Sequence, residues 1–313
     1  MPEYLSYVHG KSVSQNHWPG ENRDIWVDLG TGEENSLKDV VNLLYHPHPV
    51  AVERVLHGHE RPAALLIEQD ALVFVISDPP LRAGKDVGCP IGVFLGHHFL
   101  VTTHFYGDNH LIETTRHRVL SDDQLQHGVD FVLYHLLYSH LRHFYRVSEE
   151  IGREFETLHI KLLRHPTNNF SLDIVRLRKK TYWLYSVIRP EIKIFALLKE
   201  HVSYVQKDNH PYFEDLYSQV DEILNDIEAY RDGLEGVVEA FAGMQSNQIN
   251  KVMKFLTILS ILALPATTIA SIYGMNFWIP EIHWHYGYWY SLIVMVLVTG
   301  ALLLYMRLHG WFR

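Results

Sequence analysis

The chain has 313 residues, 47% of them hydrophobic and 20% charged, with a mean hydropathy of -0.06 and a formal charge of -9. That composition suits one or two folded soluble domains plus a small membrane part, and it excludes a disordered chain. The single cysteine, Cys89, excludes an intrachain disulfide framework, and no basic patch marks a nucleic-acid surface.

The opening MPEYLSYVHGKSV has no apolar run behind a basic start, so the soluble part is expected in the cytosol. From about Ile25 to Arg118 the pattern is mixed. Ile25–Val27, Ala71–Ile76 and Phe99–Thr103 read as strands. Ser36 is placed to cap a helix through Leu44, and a short helix follows from Val50 to Leu56. From Ser121-Asp122-Asp123, an N-terminal signal, the periodicity is helical through Leu163, and Pro166 stops it. Asn168-Asn169 make a turn, Ser171 starts the next helix, and that helix runs towards Val205 with a kink expected at Pro190.

The last soluble helix starts near Pro211, and no further proline occurs before Pro265. A helix from Pro211 to Ser271 would be about 61 residues and about 90 Å long, too long for a globular domain. It reads as a stalk that continues into a membrane span, weakened by Gly233, Gly236 and Gly243 or brought close to other helices there. Two uncharged stretches, Phe255–Ile279 and Tyr286–Met306, are each long enough to cross a hydrocarbon core of about 30 Å. Glu281, His283 and His285 lie between them. Lys251 and Lys254 precede the first stretch, and Arg307 and Arg313 follow the second. The connecting turn has no Lys or Arg, so both termini are expected in the cytoplasm. Residues from Lys251 onward carry +3, leaving -12 on the rest, which either attracts cations or serves solubility.

At about 100° per residue, Asn250, Met253, Thr257, Ser260, Leu264, Thr267, Thr268 and Ser271 share one arc of the first span. Phe255, Ile258, Leu262 and Ile269 lie opposite. Hydroxyls on one face of a membrane helix either pack helices together or line water. Pro265 frees a carbonyl near Ile261 and is either a hinge or a static bend.

Tyr273-Gly274-Met275-Asn276 with Ile279-Pro280-Glu281-Ile282 resembles the Gly-Met-Asn signature and following motif of the CorA family of divalent-cation channels. Asn250–Thr257, Leu264–Thr267, Pro211–Asp215, and His48-Pro49 with Glu60-Arg61-Pro62 resemble other segments of that family, so the likeness runs from about Ile25 to the C-terminus. It implies an α+β cytoplasmic domain, a long helical stalk and two C-terminal transmembrane helices in a funnel-shaped homopentamer, with the first span lining the pore. The corresponding divisions are residues 1–120, 121–250 and 251–313. It implies passive transport of Mg²⁺, with Co²⁺ and Ni²⁺ as further ions, across the inner (plasma) membrane. A divalent ion gains about 4.6 kcal/mol per 100 mV on moving inward.

The resemblance makes Gly274, Met275 and Asn276 the selectivity filter, with the Asn276 amides accepting hydrogen bonds from a still-hydrated ion. A left-handed helix cap is the alternative role for Gly274 and Asn276. It makes Asn250, Met253, Leu256, Leu264 and Thr267 pore-lining, with core packing as the alternative for each. Asp215 matches a regulatory carboxylate, but Arg54 stands where its usual acidic partner would be. The two-carboxylate sensor is therefore expected to be absent or moved. Arg54 could pair with Asp215, while Glu53, Glu239 and Glu281 are further candidate metal positions. His283 and His285 suit Zn²⁺, Co²⁺ or Ni²⁺, or belong to an aromatic belt with Trp284 and Trp289. Two other readings stay open: a zinc transporter of the ZntB type and a non-conducting membrane-anchored sensor or scaffold. No nucleophile motif, phosphate loop or catalytic carboxylate pair points to an enzyme.

Overall fold

The computed structural model describes residues 3–8, 11–15, 24–57, 65–78, 89–105, 110–164, 166, 169–200, 203–276, 278, 280 and 284–311. These fall into two compact units, Met1–Val237 and Val238–Arg313.

The first unit holds a seven-stranded sheet: β1 (Glu3–Val8), β2 (Lys11–Gln15), β3 (Ile25–Leu29), β4 (Leu65–Ile67), β5 (Leu72–Asp78), β6 (Cys89–Leu95) and β7 (Phe99–Thr103). Their order is β2-β1-β3-β7-β6-β5-β4. Only β3 and β7 pair in parallel, with Val27 opposite Val101; the remaining pairs are antiparallel. β3 and β7 are buried along their whole length, which explains their continuous apolar character. Helices α1 (Glu34–Leu44) and α2 (Pro49–Leu56) cover one face. Val27, Val73, Val75 and Val101 meet Leu37, Val41, Val52 and Val55 in that core.

The three expected strands are present, and four more accompany them. β6 was hidden by Pro90 and Gly92, both weak strand formers. Gly92 is there because α2 packs onto the strand: a Cβ would collide with Val55 and the Thr103 hydroxyl. The α1 helix starts two residues before Ser36, whose amide already bonds the Glu33 carbonyl at 2.9 Å. At α2 the cap is His48, whose Nδ1 accepts from the Val50 amide at 3.3 Å.

Ser121 ends a helix rather than starting one. It closes α3 (His110–Ser121), a weakly amphipathic segment. Asp123 then takes left-handed backbone, φ 50°, and its carboxylate accepts from the Ser12 amide at 2.7 Å. A short 3₁₀ turn, Gln124–His127, leads to α4 (Val129–Arg164). Buried Asp28 fastens α3 to the sheet. It accepts from Arg116 Nη2 at 2.6 Å and from the Thr102 hydroxyl at 2.7 Å, and lies 3.1 Å from His104 Nε2.

Helix α5 (Phe170–Lys199) passes through Pro190 without a break and stops short of Val205. Glu191, fully buried on α5, accepts from the Ser77 amide at 2.8 Å and lies 2.8 Å from His140 Nε2 on α4, so one carboxylate joins sheet and both helices. After α5 the chain turns, and Asp130 accepts from the Gln206 amide and from Asn209 Nδ2, both at 2.9 Å. That anchor sets the start of α6 (His210–Tyr273), 64 residues with Pro265 inside it. Within the first unit α5 runs antiparallel to α6. Lys199 lies over Tyr217, Arg189 bonds Glu228 at 2.8 Å, and Arg231 lies over Tyr185. The second unit contains the rest of α6 and α7 (Gly287–Leu308).

Candidate functional site

From Phe255 to Tyr273 helix α6 carries no charged side chain, and its 18-residue window of highest hydropathy, averaging 2.0, is unburied. Helix α7 is equally apolar, averaging 2.1. Neither pattern is that of a soluble core helix, which would be covered; both match spans that lipid or further copies must cover. On α6 the half-buried positions Ile258, Ile261, Leu262, Pro265, Ala266 and Ile269 recur at helical spacing. On α7 the half-buried Ser291, Met295, Thr299 and Leu302 do the same, with Met306 buried one turn further on.

The opposite side of α6 is bare. Asn250, Met253, Thr257, Ser260, Leu264, Thr267, Thr268 and Ser271 are all exposed, as is Leu256 beside them. The hydroxyls on this side bond their own helix. Thr257 donates to the Met253 carbonyl at 2.8 Å, Ser260 to Leu256 at 2.9 Å, and Thr268 to Leu264 at 2.8 Å. Thr267 reaches both Ala263 and Leu264, at 3.1 and 2.9 Å. The protons of these four hydroxyls are thereby committed inward, and their oxygens keep lone pairs facing outward. A side of this kind accepts hydrogen bonds and donates few, which suits the water shell of a cation.

Helix α6 ends at Tyr273. The Gly274 amide donates to Ala270 and Ser271 carbonyls at 3.0 and 3.2 Å, and the Met275 amide to Ile272 at 3.2 Å. The left-handed cap weighed for Gly274 and Asn276 is not used. Among the described residues positive φ occurs only at Gly32, Asp123, Gly128 and Gly310. The helix instead tightens through i→i+3 bonds. A Cβ at Gly274 would stand 3.3 Å from the Ala270 carbonyl oxygen, so even a small side chain would press on the last turn. Gly274, Met275 and Asn276 are exposed. Glu281 and His283 lie outside the described residues, as do Glu60, Arg61, Pro62, Ile279 and Ile282. His285 packs edge-on against Tyr286, with Trp284, Tyr288, Trp289 and Tyr290 close by, the composition of an interfacial belt.

Comparison with known proteins decides what this arrangement belongs to. Residues 21–308 match the family model described as CorA-like Mg²⁺ transporter protein. The chain belongs to the CorA family. Its relatives include the cobalt/magnesium transport protein CorA of Thermotoga maritima, 26% identical over 91% of this chain and 83% of that protein. Another is the cobalt/magnesium transport protein CorA of Methanocaldococcus jannaschii, 24% identical over 92% of each chain. The complete structure of the M. jannaschii CorA magnesium transporter superposes with a TM-score of 0.81 at 21% identity, covering 99% of this chain and 98% of that one. The ZntB cytoplasmic domain of Vibrio parahaemolyticus is more distant, with a TM-score of 0.63 at 12% identity over 78% of this chain. The α+β soluble part, the long helix and two C-terminal apolar helices are therefore the CorA fold. The chain is a CorA-family divalent-cation transporter, and its family consists of transporters rather than enzymes.

The candidate regulatory residues of this CorA chain are spread out. Glu53 is exposed on α2. Arg54 does not meet Asp215 within the chain; its Nη1 approaches the Leu65 carbonyl at 3.5 Å, while Asp215 accepts from Gln219 Nε2 at 2.6 Å. Glu239 is exposed on α6 in the second unit. Among the described residues no three His, Cys, Asp or Glu side chains gather as a metal cage. What sequence reading missed is the bracing of the first unit: the Asp28, Asp130 and Glu191 carboxylates, whose hydrogen-bonding partners on other elements lie 51 or more residues away. No local motif announces such pairings.

Proposed function

We propose that this chain forms a homopentameric channel that carries Mg²⁺, and Co²⁺ or Ni²⁺ with it, into the cytoplasm down the membrane potential. Five copies of α6 surround water with the side that bears Asn250, Met253, Thr257, Ser260, Leu264 and Thr267. Gly274, Met275 and Asn276 form the selectivity filter at the outer mouth. The observation that carries this reading is the bare, acceptor-rich side of an otherwise apolar span, ending at that tripeptide.

Mg²⁺ gives up its water slowly, so a conducting site holds the hydrated ion by its water protons. Asn276 offers neutral amide oxygens, which bind a hydrated cation less tightly than a carboxylate ring and let it leave. Met253, Leu256 and Leu264 supply apolar constrictions that close by dewetting. The basic flanks Lys251, Lys254 and Arg307 support both termini in the cytoplasm, in the inner (plasma) membrane. A zinc route of the ZntB type is not favoured, because that neighbour is remote. A non-conducting anchor would need no polar side along the span.

The test is influx into liposomes that hold the reconstituted protein. Asn276→Ala should lower Mg²⁺ influx about tenfold or more, a loss of about 1.4 kcal/mol or more. Unchanged influx would remove the filter assignment. With Arg54 in place of an acidic partner, we infer that Asp215 does not by itself hold a sensing ion. Asp215→Ala should then keep Mg²⁺-dependent closure, and loss of that closure would contradict the inference.

A further inference from the structure

The exposed apolar side chains of the first unit include a concentrated group where α4 ends and α5 begins. Leu163 is 76% exposed, Leu172 67%, Val175 64% and Ile160 47%. The two helix ends are held together by Lys161 and Asp173, 2.7 Å apart. The seam between them is closed by Leu158, Leu162, Ile174 and Leu177, so the exposed set is a separate outward face. In a chain of net charge -9, residues 160–180 contain six Lys or Arg and a single acidic residue.

Three features narrow what this face meets. On α5 Leu172, Val175, Arg176 and Lys179 recur at helical spacing and are all exposed, so apolar and cationic groups share one side. Arg153 and Arg176 border a groove of about 470 Å³ between α4 and α5, whose other charged lining groups are Lys161, Glu150, Glu154 and Asp173. Among the described residues neither forms an ion pair, although Lys161 and Lys180 nearby are paired with Asp173 and with Glu150 and Glu154. Finally, α4 runs parallel to α6, with Gly152 against Tyr230 and Phe155 against Gly233, so the C-terminal end of α4 lies towards the C-terminal end of α6 within this unit.

We propose that this end of the first unit docks on the anionic surface of a phospholipid bilayer. Leu163, Leu172 and Val175 enter the headgroup layer, and Arg153 and Arg176, exposed at the rim of the groove, meet lipid phosphates. Interleaved apolar and basic side chains are the signature of interfacial binding, and the charge complements an anionic leaflet. A guanidinium presents paired N–H donors that match phosphate oxygens. The chain also carries two membrane spans, so lipid is its constant neighbour.

The test uses the full chain in nanodiscs. An environment-sensitive dye is placed at Leu172→Cys, and the parent protein labelled at Cys89 serves as the blank. Nitroxide-bearing lipid is present in phosphatidylcholine discs with or without phosphatidylglycerol. The expected result is severalfold stronger quenching in the anionic discs, lost at high salt and lost when Arg153→Gln, Arg176→Gln and Lys179→Gln are combined. All three positions lie off the buried core, and circular dichroism checks that the triple variant folds. Absent quenching, or equal quenching in both discs, overturns the proposal. Shielding of the dye from aqueous iodide without lipid quenching also overturns it and assigns the face to a second copy of the chain. None of these readouts measures ion flux, so they stand or fall apart from the channel reading.

Discussion

Single side chains in this protein set both its bracing and its response to acid. His135 lies half-buried on α4 between the rings of Phe131 and Tyr134, with centroids 4.9 and 5.2 Å away, and neither ring nitrogen is hydrogen-bonded. Burial first, and then the nearby Arg118 charge, lowers its pKa from the ordinary 6.5 to about 4. The unfolded chain takes up this proton at a higher pH than the folded one. The contribution to stability is therefore complete above pH 6.5, falls as pH drops through the window, and levels off below about 4. Replacing His135 by Phe removes the titrating group and should flatten the pH dependence of thermal stability across that window. Melting curves of the solubilised protein check this, and an unchanged slope would contradict it. Asp123 shows what a residue-level reading misses. Ser121-Asp122-Asp123 has the composition of a helix start, yet Asp123 spends its carboxylate on the backbone of β2, 111 positions earlier in the chain.

At the level of elements, legibility tracks how local the cause is. Helix α6 was legible because a proline-free run with apolar periodicity needs no partner to be recognised. The helix start at α6 was also legible, since Pro211 marks it locally, and α2 begins at Pro49, one residue before the expected Val50. Strands β1, β2, β4 and β6 were not, because short, polar or Gly- and Pro-bearing strands exist only through their neighbours in the sheet. The glycines of α6 divide in the same way. Gly233 faces Phe155 of α4, where a Cβ would stand 2.6 Å from the ring, so close helix contact explains it. Gly236 and Gly243 have nothing within 4 Å of an added Cβ. Gly236→Ala and Gly243→Ala should each stabilise the helix by about 1 kcal/mol, read as a rise in melting temperature. A fall at either position would show that another copy of the chain packs there in the assembly.

Over the whole molecule, two physical regimes meet in one chain. The first unit folds by burying strands and helix faces around braced carboxylates, and its sequence signals are diffuse because the contacts are distant. The second unit answers to lipid, and its signals are strong because hydropathy, basic flanks and the Gly274-Met275-Asn276 turn are all local. The arc drawn on a helical wheel consists of exposed residues along α6, although Phe255 and Leu259 outside it are exposed as well. The sequence names Asp215, Glu53 and Glu239 as candidates but not their surroundings: within the chain Asp215 is taken by Gln219, and among the described residues no three His, Cys, Asp or Glu side chains gather.

Whether that bare side faces water is the central claim, and cysteine accessibility tests it directly. Thr257→Cys, Ser260→Cys and Thr267→Cys, compared with Ile258→Cys, Leu262→Cys and Ile269→Cys, would be reconstituted in liposomes and treated with a charged, water-soluble thiol reagent during Mg²⁺ influx, beside a parent carrying only Cys89. The reagent should block influx at the first three positions and leave the second three unchanged. Block at the second set, or no block at the first, would contradict a water-filled pore along this side of α6.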